Sequence, residues 1–347
     1  MFKKIIALLL FIVMIFIFGE IIVRVFKLVS SFPYRKAKNE ILMYEYIPNF
    51  KGKMWGKEFK INSFGYRDYN YPLDKSASSL RIVVLGDSIT VGTGLLLDET
   101  YSKILEDMLN ESPPASAYNH FEVMNMGVCA YNTIREVELL KEKGLTFDPN
   151  MVIMQYCLDD IMPSIVETIW EVGYKKTWVR IIEFIKNIMF TLRFSKFIQY
   201  IHHKLLYRIY VMIEEKRVEK MGGLANVLYS KSGTNWLETM NALKRFAKLA
   251  KEEKINTLLV IFPRFESLNE NYPYRKCHRL IKDTCFEIGI PVLDLFDTYK
   301  GMNPEMLRLS EETVDWWHPN KLGNEIAAQE IYKYIILNKD YIFGRNE

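Results

Sequence analysis

The feature that most restricts the fold of this chain is an alternation of short apolar runs and longer amphipathic segments from residue 80 onward. Five runs have the length of strands: LRIVVLG (80–86), FEVMNMGV (121–128), MVIMQYCL (151–158), INTLLVIF (255–262) and IPVLDLF (290–296). Segments with apolar residues at helical spacing follow or separate them, at 98–110, 132–144, 238–254, 274–289 and 321–337. Buried strands alternating with helices are typical of a parallel sheet that is covered on both faces. The pattern predicts an α/β protein with a three-layer α/β/α sandwich and a parallel five-stranded sheet.

The N-terminus has a different character. Two lysines precede an uninterrupted apolar run, Ile5–Gly19, which resumes after a single Glu20. A helix needs about 20 apolar residues to cross the hydrocarbon core of a bilayer, and Glu20 is spaced to pair with Arg24 one turn later. A cleaved signal peptide is the nearest alternative, but no A-x-A pattern follows the run. We therefore expect residues 1–29 to form an uncleaved signal anchor and transmembrane helix.

The orientation of this anchor depends on which signal dominates. More lysines and arginines follow the apolar run than precede it, which by the positive-inside rule favours a cytoplasmic body. A basic tip followed directly by an apolar run is instead typical of an export signal. We expect a single-pass membrane protein whose body is extracytoplasmic, in the periplasm or at the cell surface.

The rest of the chain divides into two predicted parts. Residues 30–79 are interpreted as a stalk and lead-in packed on the domain, and residues 80–340 as one domain that contains a helical insertion at 161–235. Between positions 175 and 220 this insertion has eleven Lys or Arg residues against four Glu, a net charge of +7. A helical hairpin packed on the domain is the favoured interpretation. An amphipathic element on anionic lipid, or a lid over the site, is the alternative.

Polar residues follow the predicted strands where ligands of parallel sheets bind. Ser88 follows the first strand, Gly127 the second and Asp159 the third, while Asp315 and His318 follow the fifth at a greater distance. An imidazole can take the proton of a serine hydroxyl when a carboxylate orients the ring. Each feature alone is usually a turn, a helix cap or a surface ion pair. Their common position at strand ends predicts a serine hydrolase site in which His318 deprotonates Ser88.

This arrangement resembles the SGNH/GDSL hydrolase family in three sequence blocks over roughly residues 80 to 340, apart from the insertion. The blocks are VVLGDSITVGTG (83–94), with Ile89 in place of leucine, VMNMGVCAYNT (123–133) and DWWHPNKLGNEIAA (315–328). The segment YIPNFKG…INSFGYRD is similar to the one that precedes this domain in membrane-anchored members. The resemblance implies a flavodoxin-like fold, with Ser88 as nucleophile, His318 as base and Asp315 as its orienting carboxylate. It also implies an oxyanion hole built from the amides of Ser88 and Gly127.

The third block of the family departs from its pattern here. G-x-N-D reads Cys157-Leu158-Asp159-Asp160, so a carboxyl group stands where an asparagine amide would donate to the oxyanion. Losing one such donor costs roughly 10²–10³ in rate. Three interpretations stay open: Asp159 is protonated and donates, the two amides suffice for a slower enzyme, or the protein binds acylated ligands without hydrolysing them. Because Ser88, Asp315 and His318 are all present, an active enzyme is favoured.

The sequence therefore predicts a membrane-tethered serine esterase that removes small acyl groups, acetyl among them, from envelope glycans or lipids through an acyl-enzyme. A polysaccharide O-acyltransferase of the same fold, or a catalytically impaired module that binds acylated ligands, is the alternative. We expect no cofactor and no metal, because the chain has no C-x-x-C motif and His202 and His203 point about 100° apart on a helix. A net charge of +4 does not indicate nucleic-acid binding. The expected partners are an acylated substrate and the membrane, which the basic insertion is a second candidate to contact.

Overall fold

The computed structural model describes residues 2–26, 33–114, 118–161, 229, 233–309, 315 and 317–343. The chain divides into two compact units, one made of Met1–Phe32 and Ile165–Leu224, the other of Pro33–Ser164 and Ala225–Glu347. All five predicted site residues lie in the second unit. The insertion predicted at 161–235 lies almost entirely outside the described residues, so its helices, its lid role and its lipid contact stay predictions.

The described part of the first unit is one helix, α1 (Phe2–Val25). Many of its apolar side chains are exposed, including Leu10, Phe11 and Phe18. The predicted pairing of Glu20 with Arg24 is confirmed, since Arg24 Nε lies 2.7 Å from Glu20 Oε1. Within the residues that the structure describes, no helix combines the length and the hydropathy needed to cross a membrane. The prediction of a transmembrane helix is therefore not confirmed.

The second unit begins with two antiparallel hairpins. The first pairs β1 (Tyr34–Lys36) with β2 (Tyr44–Tyr46), and the second pairs β3 (Lys51–Met54) with β4 (Lys57–Lys60). Trp55 and Gly56 join β3 to β4 with φ values of 49° and 75°. A two-residue turn with both φ values positive matches the twist of the flanking strands. The segment that the sequence delimits as a stalk and lead-in is therefore folded from residue 33 onward.

The remaining elements alternate as predicted. The strands are β5 (Ser79–Leu85), β6 (His120–Asn125), β7 (Met151–Tyr156), β8 (Asn256–Ile261) and β9 (Val292–Asp294). The helices are α2 (Ser88–Val91), α3 (Tyr101–Glu111), α4 (Thr133–Glu142), α5 (Thr234–Glu252), α6 (Arg275–Glu287), α7 (Leu295–Tyr299), α8 (Lys321–Leu337) and α9 (Lys339–Phe343). All five strands are parallel in the order β6-β5-β7-β8-β9. This confirms the predicted α/β fold, in the strand order of flavodoxin-like sheets.

The sheet is largely buried on both faces, because most residues of its strands are apolar. Every residue of β5 is buried, and successive side chains point to opposite faces. Ile82 and Val84 belong to a core that includes residues of α3 and α8. Among the helices, α3 packs beside α8, and α4 packs beside α5. The order of strands reverses between β5 and β7, which is where such sheets bind their ligands.

Two strands end earlier in the structure than the apolar runs of the sequence predict. The run 290–296 is a strand only over Val292–Asp294, because the Asp294 carboxylate accepts the Phe296 amide at 3.1 Å and begins α7. The run 121–128 is a strand only as far as Asn125. The Asn125 amide donates to Asp68 Oδ2 at 2.6 Å, while the Met126 and Val128 amides still donate to the carbonyls of Val84 and Gly86 at 2.9 and 3.0 Å. A side-chain acceptor thus ends β9, whereas backbone hydrogen bonds continue past the end of β6.

Candidate active site

Ser88 lies at the carboxyl edge of the sheet, as the first residue of the single-turn helix α2. The Asp87 carboxylate accepts the Ile89 amide at 2.9 Å and starts this turn. Gly86 has no room for a side chain, since a Cβ there would lie 2.1 Å from Thr90 Oγ1. The sharp turn from β5 into α2 therefore places the serine hydroxyl beside the point where the strand order reverses.

The structure brings Ser88, His318 and Asp315 together over 230 residues of chain. Ser88 Oγ lies 2.8 Å from His318 Nε2, and His318 Nδ1 lies 2.7 Å from Asp315 Oδ2. Asp315 Oδ1 accepts the amides of Trp317 at 2.9 Å and of His318 at 3.0 Å. Because an ionised carboxylate only accepts, Nδ1 is the protonated nitrogen and Nε2 accepts the serine proton. The geometry is that of an alcohol beside an oriented base.

Neighbouring charges shift the titration of this pair in opposite directions. Burial lowers the pKa of His318, but the hydrogen bond and charge of Asp315, with smaller effects of Asp87 and Asp159, raise it above its usual value overall. Burial raises the pKa of Asp315, but the His318 hydrogen bond and charge and two backbone amides lower it below its usual value overall. Asp315 is thus ionised at neutral pH, and the neutral, basic form of His318 is favoured only above its raised pKa.

The loop that contains His318 is fixed from both ends. The His318 carbonyl accepts the Leu309 amide at 3.0 Å, and the Asn320 side chain caps α8 by accepting the Gly323 amide at 3.1 Å. The Arg264 guanidinium stacks on the Trp317 ring, 3.6 Å from its centroid. These contacts restrict the movement of the residues on either side of the imidazole.

Gly127 lies beside α2, and its amide is engaged in the structure. The Gly127 N–H donates to Asn125 Oδ1 at 3.1 Å. A Cβ on Gly127 would lie 2.8 Å from Thr90 Cγ2 and from the Val91 nitrogen, so the glycine is needed for the close approach of α2. To donate to an oxyanion, this amide has to share or exchange its bond with Asn125. Its predicted role in the oxyanion hole stays a prediction.

Asp159 follows β7 and lies near the same edge of the sheet. Its Oδ1 atom is buried and has no hydrogen-bond partner among the residues that the structure describes. Burial raises the pKa of the carboxyl to about 7, against the lowering effect of Arg264 and of His318 and with a further increase from Asp87. Near neutral pH the group is therefore divided between a neutral form that can donate and an ionised form that cannot.

One buried group among the described residues has the spacing of metal ligands, namely Asp87, Cys157 and Asp160, whose ligand atoms lie within 4.8 Å of one another. The Cys157 thiol points to Asp87 Oδ2 at 3.4 Å and to Asp160 Oδ1 at 3.6 Å, and the Cys157 amide donates to Asp160 Oδ2 at 2.7 Å. Burial raises the pKa of both carboxyls. Hydrogen bonds from the thiol and amide of Cys157 to the two carboxyls account for the cluster without an ion.

Four polar residues around the site were not singled out in the sequence. Gln155 Oε1 accepts the Asp87 amide at 3.1 Å and lies 3.0 Å from Thr90 Oγ1. Asn125 accepts the Gly127 amide, and the lead-in supplies the buried Arg67 and Asp68. Gln155 and Asn125 are polar residues inside otherwise apolar strand runs, and this pattern can indicate buried polar residues near a site. Arg67 and Asp68 are charged residues in an aromatic segment, which indicates buried polar residues less clearly.

Several solved structures are similar to this chain. The acetylxylan esterase Axe2 from Geobacillus stearothermophilus has 16% identity and a TM-score of 0.45, over 75% of this chain and 96% of that one. TesA has 14% identity and a TM-score of 0.43, over 74% and 97% of the two chains. A two-domain esterase active on acetylated mannans has 13% identity and a TM-score of 0.43, over 75% and 50%. No curated protein sequence matches the chain. These likenesses are too distant to transfer a substrate.

Comparison of the sequence with models of protein families establishes the family to which the chain belongs. The GDSL-like lipase/acylhydrolase family matches residues 84–326, which is well over half of the chain and includes all five predicted site residues. The chain belongs to the GDSL-like lipase/acylhydrolase family and is an enzyme of the serine esterase type.

Proposed function

We propose that this enzyme hydrolyses small acyl esters, acetyl esters among them, of envelope glycans or lipids through an acyl-enzyme on Ser88. One observation carries the proposal: the continuous hydrogen-bond chain from Asp315 through His318 to Ser88, with links of 2.7 and 2.8 Å. Such a chain activates an alcohol at neutral pH without a metal or cofactor.

The proposed reaction has two steps. Ser88 Oγ bonds to the ester carbonyl carbon while its proton moves to His318 Nε2, and Asp315 stabilises the resulting imidazolium. The tetrahedral intermediate then loses the alcohol, which takes the proton from Nε2, and the acyl group remains on Ser88. In the second step a water molecule gives its proton to His318 and attacks the acyl carbon. Ser88 recovers its proton as the free acid leaves.

The negative charge that develops on the carbonyl oxygen is stabilised by hydrogen-bond donors. The Ser88 amide at the start of α2 is one, and the Gly127 amide is a second once its bond to Asn125 is shared. We propose the neutral form of Asp159 as the third donor, in place of the asparagine of the family pattern. Its buried Oδ1, which has no partner within the described part of the chain, and its raised pKa support this assignment.

The surroundings of His318 support a polar alcohol portion in the substrate. The Arg264 guanidinium lies between two aromatic rings, 3.6 Å from the Trp317 centroid and 5.3 Å from that of Tyr274. Arg264 also forms an ion pair with Glu266, to which the Tyr274 hydroxyl donates at 3.1 Å. Aromatic faces bordered by hydrogen-bonding groups suit a sugar better than an alkyl chain.

The location of the enzyme is a separate proposal, in which residues 2–25 hold it at a membrane and the body is exported. The basic tip, the apolar run and the exposed side chains of α1, with Leu10 and Phe18 each 65% exposed, support it. Cell fractionation with an alkaline carbonate wash tests the attachment, and fusion to alkaline phosphatase tests export. Recovery of the chain in the soluble cytoplasmic fraction contradicts both.

The catalytic proposal is tested with the full chain and a Ser88→Ala variant. Turnover of p-nitrophenyl esters from acetate to octanoate is measured first, and then acetate release from acetylated oligosaccharides, each with and without an unacetylated acceptor. Hydrolysis that favours acetate and disappears in Ser88→Ala supports the proposal. Release that occurs only with the acceptor indicates an acyltransferase. A folded wild-type chain that neither turns over esters nor reacts with a fluorophosphonate at Ser88 contradicts the proposed chemistry.

A further inference from the structure

The lead-in, residues 33–79, lies before the matched range 84–326, yet two of its charged side chains are buried against the site. Arg67 is 2% exposed and Asp68 is 8% exposed. A buried charge is costly unless hydrogen bonds and counter-charges satisfy it. The partners of these two side chains therefore show which parts of the structure depend on them.

Arg67 binds the turn that positions the nucleophile. Its Nη1 donates to the carbonyls of Val91 at 2.8 Å and Gly92 at 2.7 Å, and its Nη2 donates to that of Leu95 at 2.6 Å. The last carbonyls of a helix have no partner within it and form the negative end of its dipole. Since α2 is a single turn that begins at Ser88 and ends at Val91, fixing its last carbonyls fixes its first residue too.

Asp68 binds the other wall of the site. Its Oδ2 accepts the Asn125 amide at 2.6 Å, and its Oδ1 forms an ion pair with the buried Lys103 at 2.8 Å. Asn125 is the last residue of β6, and its side chain accepts the Gly127 amide at 3.1 Å. One carboxylate thus fixes the strand end from which the second proposed oxyanion donor is presented.

We infer that the adjacent Arg67 and Asp68 are positioning residues for acyl transfer, which hold the Ser88 turn and the Gly127 loop in fixed relation. The inference rests on the proposed function. Neither side chain touches the reacting atoms, so each acts through backbone groups of the two loops. A displacement of about 1 Å in a catalytic group costs on the order of 10²-fold in rate, so loss of these contacts is expected to lower kcat more than to raise KM.

A second buried arginine provides a matched control. Arg81 is fully buried near the start of β5, at the opposite end of that strand from Ser88. Its Nε donates to Glu122 at 2.6 Å, and its other nitrogens donate to backbone carbonyls, including that of Phe147 at 2.6 Å. Arg67 and Arg81 are therefore both buried arginines that donate to backbone carbonyls. They differ in position, since Arg67 contacts the Ser88 turn and Arg81 lies at the other end of β5 from it.

The experiment compares full-length Arg67→Lys, Arg67→Met, Arg81→Lys and Arg81→Met with wild type and with Ser88→Ala. The folded concentration is fixed by circular dichroism, and kcat, KM and the rate of fluorophosphonate labelling are then measured per folded molecule. All four variants are expected to lower the unfolding midpoint. Only the Arg67 variants are expected to lose about 10²-fold in kcat and labelling rate, with partial recovery in Arg67→Lys. Equal kcat values per folded molecule in the Arg67 and Arg81 variants overturn the inference.

A substrate-free measurement separates this inference from the proposed function. Hydrogen exchange in peptides that cover residues 86–96 and 123–129 is compared between the Arg67→Lys and Arg81→Lys variants. Faster exchange in the 86–96 peptide for Arg67→Lys alone, with the Asp68-bound 123–129 peptide as internal reference, supports the positioning role of Arg67, even if no ester proves to be a substrate. Unchanged exchange in the Arg67 variant overturns it, whatever the activity of the wild type.

Discussion

At the scale of single residues, Asp159 and His318 need opposite protonation states. His318 acts as a base only when neutral, and its pKa is raised above the usual value, chiefly by Asp315. Asp159 donates only when protonated, and its pKa is about 7. The two requirements overlap in a narrow range near neutral pH. Because a carboxyl replaces the family's asparagine, activity is expected to fall as the pH rises above the pKa of Asp159.

Replacing Asp159 with asparagine is expected to remove this pH dependence. The amide donates at every pH, so the alkaline decline of kcat/KM above pH 7 should disappear. Activity at high pH should rise, by about 10² if the ionised carboxylate supplies no donor. Profiles of kcat/KM against pH for wild type and Asp159→Asn test this, with the exposed Asp297→Asn as control. Lower activity of Asp159→Asn at every pH indicates that the carboxylate has another role.

Asp315→Asn is expected to lower kcat by about 10²–10⁴-fold with little change in fold. An amide cannot stabilise the imidazolium, and its N–H₂ group favours the wrong tautomer of His318. Because Asp315 raises the pKa of His318, its neutralisation should also move the acid limb of the remaining activity to lower pH. Steady-state kinetics at several pH values measure both effects. A variant with wild-type kcat shows that the 2.7 Å contact is structural only.

At the scale of elements, what could be predicted depended on whether a stretch of sequence fits one conformation or several. The strands β5, β7 and β8 were predictable because continuous apolar runs need burial on both faces. Asp294 could not be assigned as a cap that ends β9, because the same residue fits a strand or a helix start until its Phe296 partner is known. The bond between Asn125 and Gly127 was hidden for the same reason, although both residues stood inside a predicted strand.

The junction between the His318 loop and α8 offers a test of element packing. A Cβ at Gly323 would lie 2.6 Å from the Leu307 carbonyl oxygen and 2.8 Å from Pro319 Cβ. Since a backbone carbonyl cannot yield as a side chain does, Gly323→Ala is expected to displace Pro319 and the adjacent His318. We expect a loss of about 1–3 kcal/mol in the free energy of unfolding and of at least tenfold in kcat.

Gly144→Ala is the matched control for this prediction. The nearest atom to a Cβ there is Leu140 Cδ1 at 2.8 Å, the flexible end of a side chain. Small changes in thermal midpoint and kcat are therefore expected for Gly144→Ala. If Gly323→Ala behaves like Gly144→Ala in thermal unfolding and in p-nitrophenyl acetate turnover, the contact with Leu307 and Pro319 does not position His318.

At the scale of the whole molecule, the sequence blocks identified the site but not the full extent of the enzyme. Ser88 and His318 could be paired across 230 residues, because both stand beside family motifs at strand ends. The lead-in, in contrast, has no such motif within the matched range, and its role depends on long-range contacts of Arg67 and Asp68. Contacts between distant segments leave little trace in a single sequence, so the lead-in was predicted to pack on the domain, but its contacts with the Ser88 turn and with Asn125 were not predicted.

Truncation tests this view of the molecule. The lead-in buries large apolar side chains, among them Leu42, Tyr46, Phe59 and Ile61, each at most 4% exposed. At roughly 2 kcal/mol each, they contribute about 8 kcal/mol, within the total stability of a typical domain. A chain that begins at residue 33 is therefore expected to fold and to keep esterase activity. One that begins at residue 80 is expected to lose its cooperative thermal transition and its fluorophosphonate labelling. A folded chain 80–347 with wild-type kcat would show instead that the lead-in is dispensable, and that Ser88 and Gly127 are positioned by the sheet alone.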